Sequence, residues 1–454
     1  MPLKPVTPDV PSKSSPTQIA LDLGAPVVNH QLNQLRDCDR AAHQWYRFVL
    51  SYPPHLVQTY ITRFGLGAHH CLLDPFCGTG TTVVEGKKLG IPSLGIEANP
   101  MGWFAGTVKL DWQPDPAALL TIAQEVAVQA EQVLRSQDSP WRSLSPDCER
   151  LILRNSISPL PLHKTLILLE QIDTQVHPSY NRHLKLALAK AILTSISNLH
   201  FAPEVSVGKP KEDAPVIEAW LAAVKDMATD LAELQTLPDT PAQIYHADAR
   251  NIPAVLNPHP IDAVITSPPY PNEKDYTRTT RLESVLLGFI QNRAELRQLK
   301  QGLLRSNTRN VYKGDTDDQW VANHAEIQRI AHAIEARRIE LGKTSGFERL
   351  YHRAVKQYFG GMAKHLAELR SVLRPGAQLA YVVGDQKSYL QVMIRTGELL
   401  ADLAQGLGYD VVGIDLFRTR LATATKEQMR EEVVVLQWSG KLPDRPYPFG
   451  DRPL

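Results

Sequence analysis

The sequence predicts an α/β fold: an open, doubly wound sheet with helices on both faces, a terminal antiparallel hairpin and an inserted helical subdomain. Short apolar runs at Leu72-Leu73, Ile91 to Glu97, Ala242 to His246 and Ile261 to Thr266 each end in a polar or glycine-bearing turn, as buried strands do. Between the second and third runs, apolar residues recur at helical spacing over more than a hundred residues, where such a sheet ordinarily has one helix and a loop. Two extended runs, Tyr409 to Phe417 and Glu432 to Trp438, close the chain as an antiparallel pair.

The chain has 454 residues, 43% of them hydrophobic, enough for at least one large core and two or three domains. Its 49 Lys and Arg nearly balance 48 Asp and Glu, so any surface for a polyanion must be local. The four cysteines, Cys38, Cys71, Cys77 and Cys148, lack Cys-x-x-Cys spacing and zinc-type His pairing, and read as reduced thiols of a cytoplasmic protein. No apolar run is long enough to span a bilayer, and no signal-peptide pattern opens the chain. Residues 1–40 read as a flexible tail, rich in Pro and Ser at its start.

The first core segment is 41–112. An aromatic, Pro-containing stretch from His43 to Val57 leads into an apolar-periodic helix ending at Phe64. Leu72 to Thr82 then reads as strand, tight turn and helix start. Gly78 and Gly80 can take backbone angles closed to other residues and leave room for a ligand against the main chain. The amides of the first helical turn and the Asp74 carboxylate would flank that ligand. The next strand ends in Glu97, where an acid faces the ribose hydroxyls of a nucleoside held on the first turn. A dinucleotide-binding protein would show the same acid, so these two features leave the ligand open.

Residues 113–240 form the helical insertion, with helices expected over Ala117 to Leu134, His163 to Ile172, His183 to Leu199 and Val216 to Leu234. His200 to Lys211 reads as a loop with Gly, Pro, an aromatic and two lysines, either a solvated connection or a contact for a phosphate backbone. The core resumes over 241–282, with Asp248 just past one strand and Ser267-Pro268-Pro269-Tyr270 ending the next. A helix is expected from about Leu282 to Gln291.

Residues 283–345 carry a basic run, Arg293, Arg297, Lys300, Arg305, Arg309 and Lys313 against Glu295, interleaved with Ser306, Asn307, Thr308 and Asn310. The last core segment, 346–440, has a helix from Val355 to Leu373 broken by Arg374-Pro375-Gly376, a strand from Gln378 to Val383, and a helix from Thr396 to Leu407 closed by Gly408. The terminal strands are joined by the basic, Thr-rich stretch Arg418 to Lys426, and 441–454 is a C-terminal tail.

Asp74-Pro75-Phe76-Cys77-Gly78-Thr79-Gly80-Thr81-Thr82 and Ser267-Pro268-Pro269-Tyr270, each at the end of an apolar strand, resemble the cofactor and catalytic motifs of the amino-group DNA methyltransferases that use S-adenosylmethionine. The Ser form of the second motif is similar to that of the cytosine-N4 enzymes; adenine-N6 enzymes more often begin it with Asp or Asn. The resemblance covers roughly residues 43–112, 241–285 and 370–438. It implies a Rossmann-like methyltransferase sheet, S-adenosyl-L-methionine as cofactor, double-stranded DNA as partner and, in a restriction-modification pair, a companion endonuclease.

The same resemblance implies residue roles. Asp74, Phe76, Gly78, Gly80, Thr81, Thr82, Glu97 and Asn99 would hold the cofactor, and the aromatic stretch before the first strand would cover it or pack its helix on the sheet. Asp248 would accept from the adenine amino group, cap a helix, or both. Independently of the resemblance, the basic run, rich in Asn, Thr and Ser and directly downstream of the second motif, reads either as a solvated face or as a reader of phosphates and base edges through Arg293, Arg297, Lys300, Arg305, Arg309 and Lys313. No metal is implied. The cofactor motif precedes the catalytic one, although its Pro-Phe-Cys-Gly wording is common in members with the reverse order, so the insertion, the basic run or both could read the target.

The chemistry suits these residues. An exocyclic amino group is a poor nucleophile because its lone pair is delocalised into the ring. The Ser267 hydroxyl and the Pro268 carbonyl can accept its two hydrogens and aim the lone pair at the sulfonium methyl. Tyr270 offers a face on which a flipped base can stack, worth roughly 1–3 kcal/mol. Carbon-5 methylation needs a Pro-Cys nucleophile that this chain lacks, and Cys77 is better read as a small residue lining the cofactor. Adenine-N6 methylation, RNA guanine-N2 methylation, a non-catalytic scaffold and a dinucleotide oxidoreductase are the competing readings.

Overall fold

The computed structural model describes residues 31–48, 51–175, 178–201, 205–258, 260–272, 274–387, 389–421, 427–443 and 445–450. Most of the expected N-terminal tail and most of the link from Arg418 to Lys426 lie outside these residues. Seven strands form one sheet: β1 Leu72–Asp74, β2 Ser93–Glu97, β3 Ala242–His246, β4 Ile261–Thr266, β5 Leu373–Gly384, β6 Tyr409–Leu421 and β7 Gln428–Trp438. Their spatial order is β3-β2-β1-β4-β5-β7-β6. The first five are parallel and β7 runs antiparallel between β5 and β6. This is a Rossmann-like order, and it reverses between β1 and β4, where such sheets open a crevice at the carboxyl ends of the strands.

The helices are α1 Pro54–Arg63, α2 Thr81–Lys88, α3 Pro100–Leu110, α4 Pro116–Arg135, α5 Pro159–Asp173, α6 Pro178–Ala191 and α7 Val216–Leu234. They continue with α8 Arg281–Leu286, α9 Arg293–Gly302, α10 Ala325–Glu340, α11 Tyr351–Leu369 and α12 Thr396–Gly406. Successive strand residues point to opposite faces. Leu72, Ala263, Ile265 and Val382 therefore pack under α1, through Leu56, Val57, Tyr60 and Phe64. Their neighbours Leu73, Val264 and Val383 meet α11 and α12, through Tyr358, Met362 and Leu400. Burial on both faces explains why these strands read as near-continuous apolar runs.

The insertion of α4 to α7 shares one apolar core with α2 and α3. Val83, Val84, Met101 and Phe104 join Leu119, Val126, Leu186 and Trp220. It is therefore an added layer on the sheet. At its neck the Gln235 amide donates to the carbonyls of Trp112 at 2.7 Å and Pro114 at 2.9 Å.

Some elements differ from the sequence expectation. The helix expected to reach Leu199 ends α6 at Ala191 and passes through a π-helical turn, Ile192–Ile196. Leu199–Phe201 then pairs with Val205–Val207 as a hairpin, where a loop was expected from His200. The cause is Asn198. Its amide donates to Asn155 and Ser158 and accepts from the Lys211 amide at 3.0 Å, ending the helix and gathering both sides of the hairpin. The expected helix to Gln291 stops at Leu286, with Gly288 at φ +81. In the C-terminal segment Tyr447 and Phe449 pack against Trp320 and His324, so the chain stays docked on the fold through Gly450. Among the described residues no helix is long and apolar enough to cross a membrane, and no group of three or more His, Cys, Asp or Glu could hold a metal ion.

Candidate active site

A cleft of about 650 Å³ opens at the carboxyl ends of β1 to β5, within the range of ~300–1,000 Å³ usual for small-molecule sites. Its floor is the turn after β1. Gly80 sits there at φ +88, and a Cβ on it would stand 3.3 Å from the Gly106 backbone, so the glycine both turns the chain and lets α3 pack close. Phe76, Gly78 and Thr81 line the cleft, whereas Gly80 and Thr82 lie behind it.

Asp74 differs from the expectation of a ligand-flanking carboxylate. It is fully buried beneath the floor and does not line the cleft. One of its oxygens accepts from the Thr266 hydroxyl at 2.5 Å and the Phe76 amide at 3.1 Å; the other meets the Tyr52 hydroxyl at 2.8 Å. Burial pushes its pKa up to about 6 against these hydrogen bonds. Thr82 donates to the Ile265 carbonyl at 3.0 Å and contacts the Tyr52 hydroxyl. Asp74 and Thr82 thus tie β1, α2, β4 and the segment before α1 together. Neither residue lines the cleft.

Glu97, at the end of β2, faces the cleft. Its two oxygens each accept one backbone amide at 2.7 Å, from Gly78 and from Asn99. Burial raises its pKa to about 7, with the Asp74 charge adding to the rise. Each oxygen keeps a lone pair, which is what the two vicinal hydroxyls of a ribose require. Asn99 lines the cleft and caps α3, accepting from the Met101 amide at 3.0 Å. Asp248 also lines it, held by Arg250 through both oxygens, the nearest contact 2.7 Å. Arg250 in turn pairs with Asp317.

Across the cleft, β4 delivers Ser267-Pro268-Pro269-Tyr270, all four lining it. The Ser267 hydroxyl donates to the Val382 carbonyl on β5 at 3.1 Å. That bond uses its only proton and leaves its oxygen as an acceptor. Tyr270 lies with its ring edge over Gly384, where a Cβ would come within 3.1 Å of it. Burial, with the Glu431 charge, holds its hydroxyl protonated far above the usual range. The structure therefore brings the turn after β1 and Ser267-Pro268-Pro269-Tyr270 into one cleft.

The basic run divides. Arg293, Arg297, Arg309 and Lys313 are exposed. Lys300 pairs with buried Asp275 at 2.7 Å, and Arg305, itself buried, pairs with Asp315 at 2.9 Å. These two charges are matched inside the fold, which corrects their reading as surface contacts for DNA. Other wall residues come from segments marked in the sequence only as a whole or not at all. Tyr52 lines the cleft and lay within the recognised aromatic stretch; Ser306 and Asn310 lay within the basic run. Arg418, Arg420 and Glu431 line it from the terminal hairpin, where no motif marks them.

No protein-family model matches the chain. It is 26% identical over 456 residues to the Type II methyltransferase M.BsoBI of Geobacillus stearothermophilus, covering 92% of this chain and 88% of that one. With M.AvaI of Nostoc sp. it shares 25% over 452 residues, covering 89% and 86%. The solved rRNA methyltransferase aviRa from Streptomyces viridochromogenes overlaps over 88% of each chain at 12% identity and a TM-score of 0.32, too loosely to carry an argument. Sheet order, site and relatives define a methyltransferase with a Rossmann-like fold, and its cofactor is S-adenosylmethionine. Along nearly its whole length the chain is similar to the Type II methyltransferases.

Proposed function

We propose that this chain methylates the exocyclic N4 amino group of a cytosine flipped out of duplex DNA. The observation that supports this most is the Ser267 hydroxyl, whose proton is given to the Val382 carbonyl while its oxygen lines the cleft shared with the cofactor turn. An amino group has two hydrogens to place, and the Ser267 oxygen and Pro268 carbonyl are two acceptors on adjacent residues. Accepting both localises the nitrogen lone pair. S-adenosylmethionine supplies the electrophilic methyl. Glu97 holds the ribose diol, Asp248 faces the adenine amino group, and Tyr270 stacks on the extruded base.

The exposed Arg293, Arg297, Arg309 and Lys313 supply phosphate contacts near the mouth, with the helical insertion as the second candidate for target reading. A companion endonuclease recognising the same sequence fits this assignment. The test is transfer of labelled methyl to duplex DNA and, in parallel, to tRNA, with nucleoside analysis of the products. N4-methylcytosine in DNA, lost in Ser267→Ala, supports the reading. N6-methyladenine would keep the mechanism and replace the base, and label in tRNA alone would overturn DNA as the substrate.

A further inference from the structure

The turn 306–310 forms part of the cleft wall, and it is fixed from the catalytic side. Tyr389 places its hydroxyl 2.7 Å from the Ser306 carbonyl and 3.2 Å from the Asn272 carbonyl. The Asn307 amide donates to the Lys274 carbonyl at 3.0 Å, and its oxygen accepts from the Arg309 amide at 3.0 Å, closing the 3-10 turn Thr308–Asn310. Asn272 and Lys274 belong to the loop that continues from Ser267-Pro268-Pro269-Tyr270, so this turn moves with the catalytic motif. Asn310 is 1% exposed, it lines the cleft, and its side-chain oxygen is buried without any hydrogen-bond partner. Buried polar atoms in folded proteins are almost always paired. An unpaired acceptor on a residue of the cleft wall is free to take a donor that a ligand brings.

We infer that the Asn310 carboxamide reads the hydrogen-bonding edge of the flipped target base and so helps to decide which base is methylated. The inference rests on the DNA-methyltransferase reading given above. The chemistry required is an N–H donor on the ligand. A carboxamide also carries donors beside its acceptor, which complements the adjacent donor and acceptor positions on the pairing edge of cytosine or adenine. The cofactor could supply an N–H too, from its adenine or its ammonium group. The turn's attachment to Asn272 and Lys274 favours the base.

Three proteins test this: the parent, Asn310→Leu, which keeps the branched shape and removes both amide functions, and Asn310→Asp, which keeps an acceptor. The readouts are melting temperature, cofactor Kd, and kcat/KM on methylatable duplex DNA at saturating cofactor. The expected result is a Leu variant that melts at or above the parent temperature, because an unsatisfied acceptor has gone. It binds cofactor unchanged and loses at least tenfold in kcat/KM, with the Asp variant between the two. A lowered melting temperature with activity lost in proportion would make Asn310 structural. Weakened cofactor binding would assign the amide to the cofactor, and unchanged activity would mean it touches neither. Each of these overturns the assignment. A parent that binds cofactor and transfers no methyl to any DNA instead overturns the reading on which it rests, and the two failures are told apart by the parent alone.

Discussion

Thr266 gives its hydroxyl proton to Asp74 at 2.5 Å, and so joins the last residue of β1 to the residue immediately before Ser267. The turn after β1 and the Ser267-Pro268-Pro269-Tyr270 motif come from strands far apart in sequence, and this bond adds to the β1–β4 pairing and the Thr82 bond to Ile265 in fixing their spacing beneath the cleft. Methyl transfer needs the acceptor nitrogen in line with the methyl, and small errors in that distance are costly. On the proposed function, Asp74 and Thr266 are the joint between binding and chemistry.

Thr266→Val keeps the shape and leaves the buried carboxylate one partner short. An unsatisfied buried polar group costs roughly 1–3 kcal/mol. The expected outcome is a lower melting temperature, together with a drop in kcat that saturating cofactor does not restore. Thermal melts and steady-state kinetics on DNA check it.

On the proposed mechanism Ser267→Ala removes the acceptor for the amino group and only one bond within the fold. Loss of such a group typically costs about 10²–10³ in kcat. Calorimetry should find cofactor binding unchanged, and the melting temperature should hold to within a few degrees.

With Glu97 on the ribose, as proposed, cofactor binding should depend on pH. Its pKa in the folded protein is raised to about 7 from an ordinary 4.5, so folding favours the protonated form. The fold accordingly loses stability as pH rises from about 4.5 to about 7, and is level above that. The ribose hydroxyls donate to the ionised carboxylate, so nucleoside affinity should rise through the same window. Methylthioadenosine, which keeps the ribose and lacks the amino-acid group, is the clean probe. Its Kd should fall as pH rises from 6 to 8. Glu97→Gln should flatten this step and leave a smaller one near the Asp74 value of about 6.

The two halves of the basic run should respond differently. Arg297→Ala and Arg309→Ala, both at exposed positions, should weaken DNA binding for all sequences alike, and each should reduce the slope of log K against log salt by about 1. Arg305→Ala should instead unfold the protein more easily, by roughly 3–5 kcal/mol, because it strands Asp315. Filter binding over a salt series and urea titration separate the two behaviours.

Gly384→Ala brings a methyl within 3.1 Å of the Tyr270 ring and 3.2 Å of the Glu431 side chain. The ring must shift, and overpacking of this kind costs roughly 1–3 kcal/mol. The expected effect is a raised KM for DNA with cofactor Kd unchanged, read from kinetics at saturating cofactor.

The sheet was legible because its strands are buried on both faces and end in chemically marked turns. Gly78, Gly80, Glu97 and Ser267 announce themselves by residue type and place. Asp74 was legible as important but not as buried, since a carboxylate at a strand end looks the same whether it meets a ligand or a hydroxyl from the neighbouring strand β4. Arg305 and Arg309 lie four residues apart in one basic run, and only the fold shows that the first meets Asp315 while the second faces solvent. The hairpin after α6 was hidden because Ile192, Leu193 and Ile196 continue a helical apolar pattern until Asn198 ends it. Arg418, Arg420 and Glu431 reach the cleft through pairing of β6 with β7, which leaves no local mark in sequence.

The Gln235 amide clasps the two ends of the insertion at Trp112 and Pro114. To the sheet, the chain leaves and returns at one point, whatever lies between. Lengthening a loop that is already closed adds little entropy, on the order of 0.6 kcal/mol for each doubling. Length added in the connections between the insertion helices therefore costs the sheet little, while the helices themselves stay bound to α2 and α3 through the core they share.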